Sequence, residues 1–135
     1  MSVMAEIYAA FSQDTGLISK LAGGKNGIYH VHGPDAGSYP VIVYSTLSDV
    51  PALHADNAEM ERRVTVRIHI MTKDGQYGRI YADVRRLLLG LGFMRVQTTE
   101  IYDGGLRILV ADFRCLASRD PCIELTVIHF VYNGQ

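Results

Sequence analysis

The chain is short of the features that place a sequence quickly. It has only two cysteines, Cys115 and Cys122, too few for the disulfide framework of a small secreted domain. They read as reduced cytosolic thiols. No charge of one sign dominates, because 13 basic and 14 acidic residues leave a formal net charge of −1. A protein that holds nucleic acid on its own surface usually carries a basic excess, so that class loses weight, although a local patch or a ring assembly could still meet DNA. No stretch reaches the roughly 18 uninterrupted apolar residues of a membrane span, and no membrane partner is expected. The start, "MSVMAEIYAAFSQD", has no basic leader followed by an apolar run and a cleavage site, so it does not read as a signal peptide.

Catalytic signatures are also scarce. There is no HExxH, CxxC or GxSxG. "LAGGKNG" has Ser19 where a phosphate-binding loop needs its first glycine, and Asn26 where a hydroxyl should follow the lysine. Neither cysteine has a sequence cue to a thiolate-stabilising histidine. Asp49, Asp56, Glu59 and Glu61 are scattered like solvated loop charges rather than set as an acid/base pair. His30 and His32 share one face of an extended piece, and with Asp35 they could begin an imidazole–carboxylate metal site, but the spacing is unselective. His54, His69 and His129 suggest no convergence. The expectation is a protein that is not an enzyme, with no cofactor and no metal. A small-molecule-binding α+β oligomeric domain and a small metal-dependent enzyme resting on His30, His32 and Asp35 stand as alternatives.

What is present is a patterned chain, 48% hydrophobic over 135 residues, enough for one domain with a real core. Val3, Met4, Ile7, Ala10 and Phe11 fall at helical spacing over residues 2–13, and Asp14 can cap a short second turn carrying Leu17, Ile18 and Leu21. Ile28–His32 is a brief extended piece, and "YPVIVYSTLS" a strong strand. Residues 49–63 have no clear period, and Pro51 argues against a central strand, so they read as a long hairpin arm or flap. In "VTVRIHIM" Val64, Val66, Ile68 and Ile70 alternate with Thr65, Arg67, His69 and Met71. From Tyr77 the apolar spacing changes to three and four, through Ile80, Tyr81, Val84, Leu87, Leu88 and Leu91. That predicts a strand, a turn over Thr72–Gly75 with Thr72 or Asp74 as N-cap, and a helix to about Leu89. Val64, Val66, Ile68 and Ile70 should pack on Ile80, Val84, Leu87 and Leu88, and truncating Arg67 on the other face should cost little. "FMRVQTTEIY" and "LRILVADFRC" flank "DGG" as a hairpin. The last run, "CIELTVIHFVY", is apolar on both alternating faces. The fold class expected is α+β: an antiparallel or mixed sheet with two helices on one face and a long hairpin arm between two strands.

Some apolar residues stand where a monomer does not need them. Leu89 lies with Arg79 and Arg86 away from the buried stripe of the helix, and Phe130 and Tyr132 share one side of the last strand. These five residues are the expected subunit interface of a homo-oligomer.

The run "YPVIVYSTLSD", the polar arm, "RRVTVRIHIMTKDGQYGRIYADVRRLLLGL" and the late "RILVADFRC" strand resemble the tail-terminator, or tail-completion, proteins of long-tailed bacteriophages and prophages. The resemblance rests on Tyr39, Pro40, Val43 and Tyr44, then Val66, Ile68, His69 and Ile70, then Tyr77, Tyr81, Val84, Leu87 and Leu88. It covers roughly residues 3–116 of a single domain spanning 1–135, and the strand within 121–135 departs from the family pattern. It implies a structural protein that closes into a ring, commonly a hexamer, and ends tail-tube polymerisation. The ring would join the tail to the head connector or completion protein, with DNA only passing through its lumen. The arm at 49–63, through His54, Asp56, Glu59, Arg62 and Arg63, would dock on the tail tube protein. Such a protein works in the host bacterial cytoplasm during assembly and then at the head–tail junction of the virion.

Overall fold

The computed structural model of the chain describes residues 2–34, 37–55 and 58–118, with only the backbone described at 52–55, 58–61 and 116–118. The elements in order are α1 (Val3–Gln13), α2 (Thr15–Ile18), a 3-10 turn (Gly24–Gly27), β1 (Ile28–His30), β2 (Val41–Ala55), β3 (Ala58–Thr72), α3 (Gly78–Gly90), β4 (Met94–Asp103) and β5 (Leu106–Ser118). The strands form one five-stranded sheet in the order β1-β2-β3-β5-β4. β1 runs parallel to β2, and the other pairs are antiparallel. The fold is therefore α+β, with the two main helices, α1 and α3, on the same face of a mixed sheet. The final run, with Cys122, Phe130 and Tyr132, lies outside the described residues.

The period-two residues of β3 set the core. Val66, Ile68 and Ile70 are fully buried. They face Thr46, Tyr44 and Ile42 on β2, and Phe113, Ala111 and Leu109 on β5. Ile7 and Phe11 of α1 and Ile80, Val84 and Leu88 of α3 complete one cluster with them, and Leu87 packs at its margin. The expected pairing of strand face and helix stripe is what forms.

Local chemistry explains the element ends. Ser2 caps α1 by accepting from the Ala5 N–H, and Asp14 caps α2 by accepting from the Leu17 N–H at 2.9 Å. α3 ends in a Schellman turn: the Phe93 N–H reaches the Leu88 carbonyl, and the Gly92 N–H the Leu89 carbonyl. Gly92 takes the required left-handed conformation at φ 92°. The start of α3 differs from expectation. Thr72 Oγ1 accepts from the Gly75 N–H and donates to the Arg107 carbonyl, while Asp74 accepts from the Gln76 N–H. Both side chains are used in folding the turn, so the N-cap position falls to Tyr77, which makes no side-chain cap bond.

The arm is a paired ribbon. β2 and β3 stay in register out to Ala55 opposite Ala58. The period is lost to the eye because Leu47, Ala52 and Met60 are extra residues at register shifts, each of which turns the alternation over. Pro51 is tolerated because β1 pairs only with Ile42–Tyr44, which leaves the far part of β2 as a sheet edge.

Candidate functional site

The helix-free face of the sheet carries the strongest polar arrangement. Arg67 on β3 and Asp112 on β5 are directly opposite. The Arg67 guanidinium donates to both carboxylate oxygens of Asp112, at 2.8 and 3.0 Å, and Gln97 on β4 donates to the same carboxylate at 2.9 Å. Asp112 is 2% exposed, whereas the Arg67 side chain is 34% exposed. This fork is a strong charge-assisted contact. It holds the Asp112 carboxyl below its ordinary range, first through the Arg67 hydrogen bond and then, against burial, through Gln97. The same bond raises Arg67.

His69 sits next to this pair, flanked across the strands by Val43 and Val110. Burial lowers its pKa first, and the Arg67 charge adds to that. Its Nδ1 is buried without a hydrogen-bond partner among the described residues. The imidazole is thus held neutral. The bonds of Arg67 and Gln97 to Asp112 tie β3, β5 and β4 together on this face.

A signal for this tie is visible afterwards in the sequence. Asp112 is a lone carboxylate within "RILVADFRC", and the other alternating strand carries Arg67. A charged residue inside an apolar strand needs a partner, but which strand supplies it depends on a register that one sequence does not state.

The expected docking residues divide. Arg62 lies beside Asp49 across the ribbon at 3.5 Å, and Arg63 is exposed opposite Val50. The backbone of His54 pairs with that of Glu59 near the tip, while the side chains of both, and all of Asp56, lie outside the described residues.

On α3, Leu89 is 47% exposed, and Arg79 is exposed at the rim of a shallow hollow of about 340 Å³ shared with Ser19, Lys20 and Gln76. Arg86 is exposed too but is turned inward on its own chain. It donates to Asp14 at 3.0 Å and to Asp83 at 3.4 Å, while Lys20 reaches Asp83 at 2.6 Å. Burial pushes Asp83 upward, but Lys20 and Arg86 outweigh it and leave the carboxyl lowered. The network ties α3 to the α1–α2 junction. Arg79 and Leu89 thus remain open on α3, and Phe130 and Tyr132 lie outside the described residues.

The possible metal ligands are not gathered. The His30 ring stacks on Tyr44 with centroids 4.9 Å apart, and Asp35 lies outside the described residues. Among the described residues no three His, Cys, Asp or Glu side chains converge.

One further surface feature lies at the β4 edge of the sheet. β4 is exposed along all ten residues. It is a terminal strand of the sheet, and it presents Met94, Val96, Ile101 and Tyr102 to solvent, from 43% to 71% exposed. No protein-family model matches the chain, and no curated protein matches it.

Proposed function

We propose that the chain is a non-enzymatic subunit of a phage or prophage tail. Its copies close into a ring that ends tail-tube polymerisation and joins tail to head. The observation that carries this reading is the long β2–β3 hairpin continuous with the strand–turn–helix whose residue pattern resembles tail-terminator proteins. A paired ribbon that carries Asp49, Arg62 and Arg63 away from a fully formed core suits docking better than catalysis. Arg62, Arg63, His54, Asp56 and Glu59 are the proposed contacts to the tail tube protein. Arg79 and Leu89 offer one side of the head-to-tail contact that a closed ring needs, with Phe130 and Tyr132 proposed for the same contact. Arg86 would act there only at the expense of its bonds to Asp14 and Asp83.

The test is to replace residues 50–61 by a two-residue turn and add the variant to tails assembling from their tube protein. Loop-length changes are thermodynamically mild, so the shortened protein should melt near the parent. The tubes it meets should overgrow, as read by electron microscopy. Tubes of normal length ended by the shortened protein would refute the docking role. A mass measurement of the intact parent that finds no closed oligomer alongside tubes would refute the ring.

A further inference from the structure

The sheet has two open edges, and they are treated differently. The far part of β2 carries Pro51 and extra residues at Leu47 and Ala52, devices that blunt an edge against pairing. β4 has one extra residue, Val96, and then an uninterrupted run over residues 97–103 with neither proline nor lysine. Ile101 and Tyr102 are neighbours on this run and both are exposed, so each face of the edge shows apolar surface.

The direction of its free backbone groups follows from the turn. Gly104 and Gly105, at φ 59° and 84°, make a two-residue hairpin turn between the paired residues Asp103 and Leu106. Such a turn closes on a hydrogen-bonded pair, and hydrogen-bonded pairs then recur at every second residue. Asp103, Ile101, Thr99 and Gln97 therefore aim their backbone groups at β5. Tyr102, Glu100 and Thr98 aim theirs outward.

A segment suited to this edge follows β5. Residues 122–132, "CIELTVIHFVY", are eleven residues with no proline or glycine and a single carboxylate, Glu124, and both alternating sides are largely apolar. That length matches the 10 residues of β4. The chain's own sheet offers the run no comparable place. Arg114 faces Met94, and the pairing of β5 with β3 ends at Ser118, so β5 passes β4 only through residues 115–118. A strand returning beside those residues soon meets Met94. To reach the outer side of its own β4, the run would have to cross the connection from α3 into Met94 at the same end of the sheet, and such connections do not cross.

We propose that residues 122–132 of one copy add to the open edge of β4 on the next copy, as an extra strand of that sheet. Main-chain bonds to Thr98, Glu100 and Tyr102 hold the added strand, and its two apolar sides continue the two faces of the edge. Donor run and acceptor edge are different surfaces, so the contact is head-to-tail. It gives the ring contact proposed above a specific form and rests on that reading only for closure of the ring.

Two full-length variants separate the run from the edge. Val127→Pro breaks the added strand. Thr98→Pro blocks the edge and loses no bond to β5, because its N–H points outward. Each alone should be monomeric in sedimentation at concentrations where the parent associates. Mixed, with one of them isotope-labelled, they should form a one-to-one heterodimer in native mass spectrometry and nothing larger, since one intact run and one intact edge remain. In the assembled parent, hydrogen exchange at Thr98, Glu100 and Tyr102 should be at least about ten times slower than in Val127→Pro, while Gln97, Thr99, Ile101 and Asp103 change little. Absence of the heterodimer, or equal exchange at the outward amides of parent and Val127→Pro, overturns the proposal. So does protection of those amides that persists in parent diluted to monomer, because the run would then cover its own edge. A closed parent oligomer that survives both prolines overturns this contact and leaves the ring standing. A parent that is monomeric on its own overturns this contact too, while the ring is judged by the mass measurement alongside tubes.

Discussion

Replacing Arg67 by alanine tests how the open face of the sheet is held. From alternation alone Arg67 is an exposed-face residue whose loss should be cheap. The structure corrects that estimate, because the partner left behind is a carboxylate only 2% exposed. Arg67→Ala removes two charge-assisted bonds, and Asp112 keeps the Gln97 amide at 2.9 Å. Breaking a fully buried pair costs about 3–5 kcal/mol; because Arg67 is one-third open to water, a cost of about 2–3 kcal/mol is expected here. The pH dependence provides a check. In the parent the folded pKa of Asp112 lies below 3.8, so its contribution is complete above that value and is lost as pH falls through the folded pKa. Without Arg67, burial dominates and raises the folded pKa, so protonation relieves the variant while it weakens the parent. Urea melts should show the largest gap near neutral pH and a gap that narrows on acidification. A gap below about 1 kcal/mol at pH 7, or one constant down to pH 3, would refute the reasoning.

Ile68→Ala, at a fully buried position facing α3, should cost about 2–5 kcal/mol in the same melts, and a loss below 1 would show that the face assignment is wrong. His69→Phe should flatten stability in mild acid. The folded pKa of His69 is lowered from 6.5, so the parent is at full strength above about 6.5 and loses stability as pH falls toward the folded value. Parallel slopes for the two proteins in melts from pH 7.5 to 5 would contradict this. Val31 is exposed and holds φ 70°, a conformation costly for a β-branched residue. Val31→Gly should therefore raise the melting midpoint, since the relieved strain outweighs the added freedom of the unfolded chain. A lower midpoint would reject that strain.

The elements that sequence periodicity makes legible are those whose pattern a single face dictates. β3 shows its buried side as Val64, Val66, Ile68 and Ile70 because nothing interrupts its alternation there. α3 shows its stripe because Ile80, Val84 and Leu88 all meet one sheet. The hairpin arm is legible from the strands on either side of it, but its register is not, because each extra residue at Leu47, Ala52 and Met60 reverses which side chains point which way. The beginning of α3 differs from its sequence signal for another reason. Thr72 and Asp74 are good capping residues, but in a tight turn the nearer N–H groups claim them first.

The open face and the edges were least legible because they depend on which strands are neighbours. Asp112, Arg67 and Gln97 come from three strands whose adjacency arises from the order β1-β2-β3-β5-β4. Within the proposed tail function, the ribbon built from β2 and β3 and the outer side of α3 are the two different surfaces that a head-to-tail ring requires. Variants in the ribbon should therefore change tail length, read by electron microscopy, while leaving the melting midpoint near that of the parent.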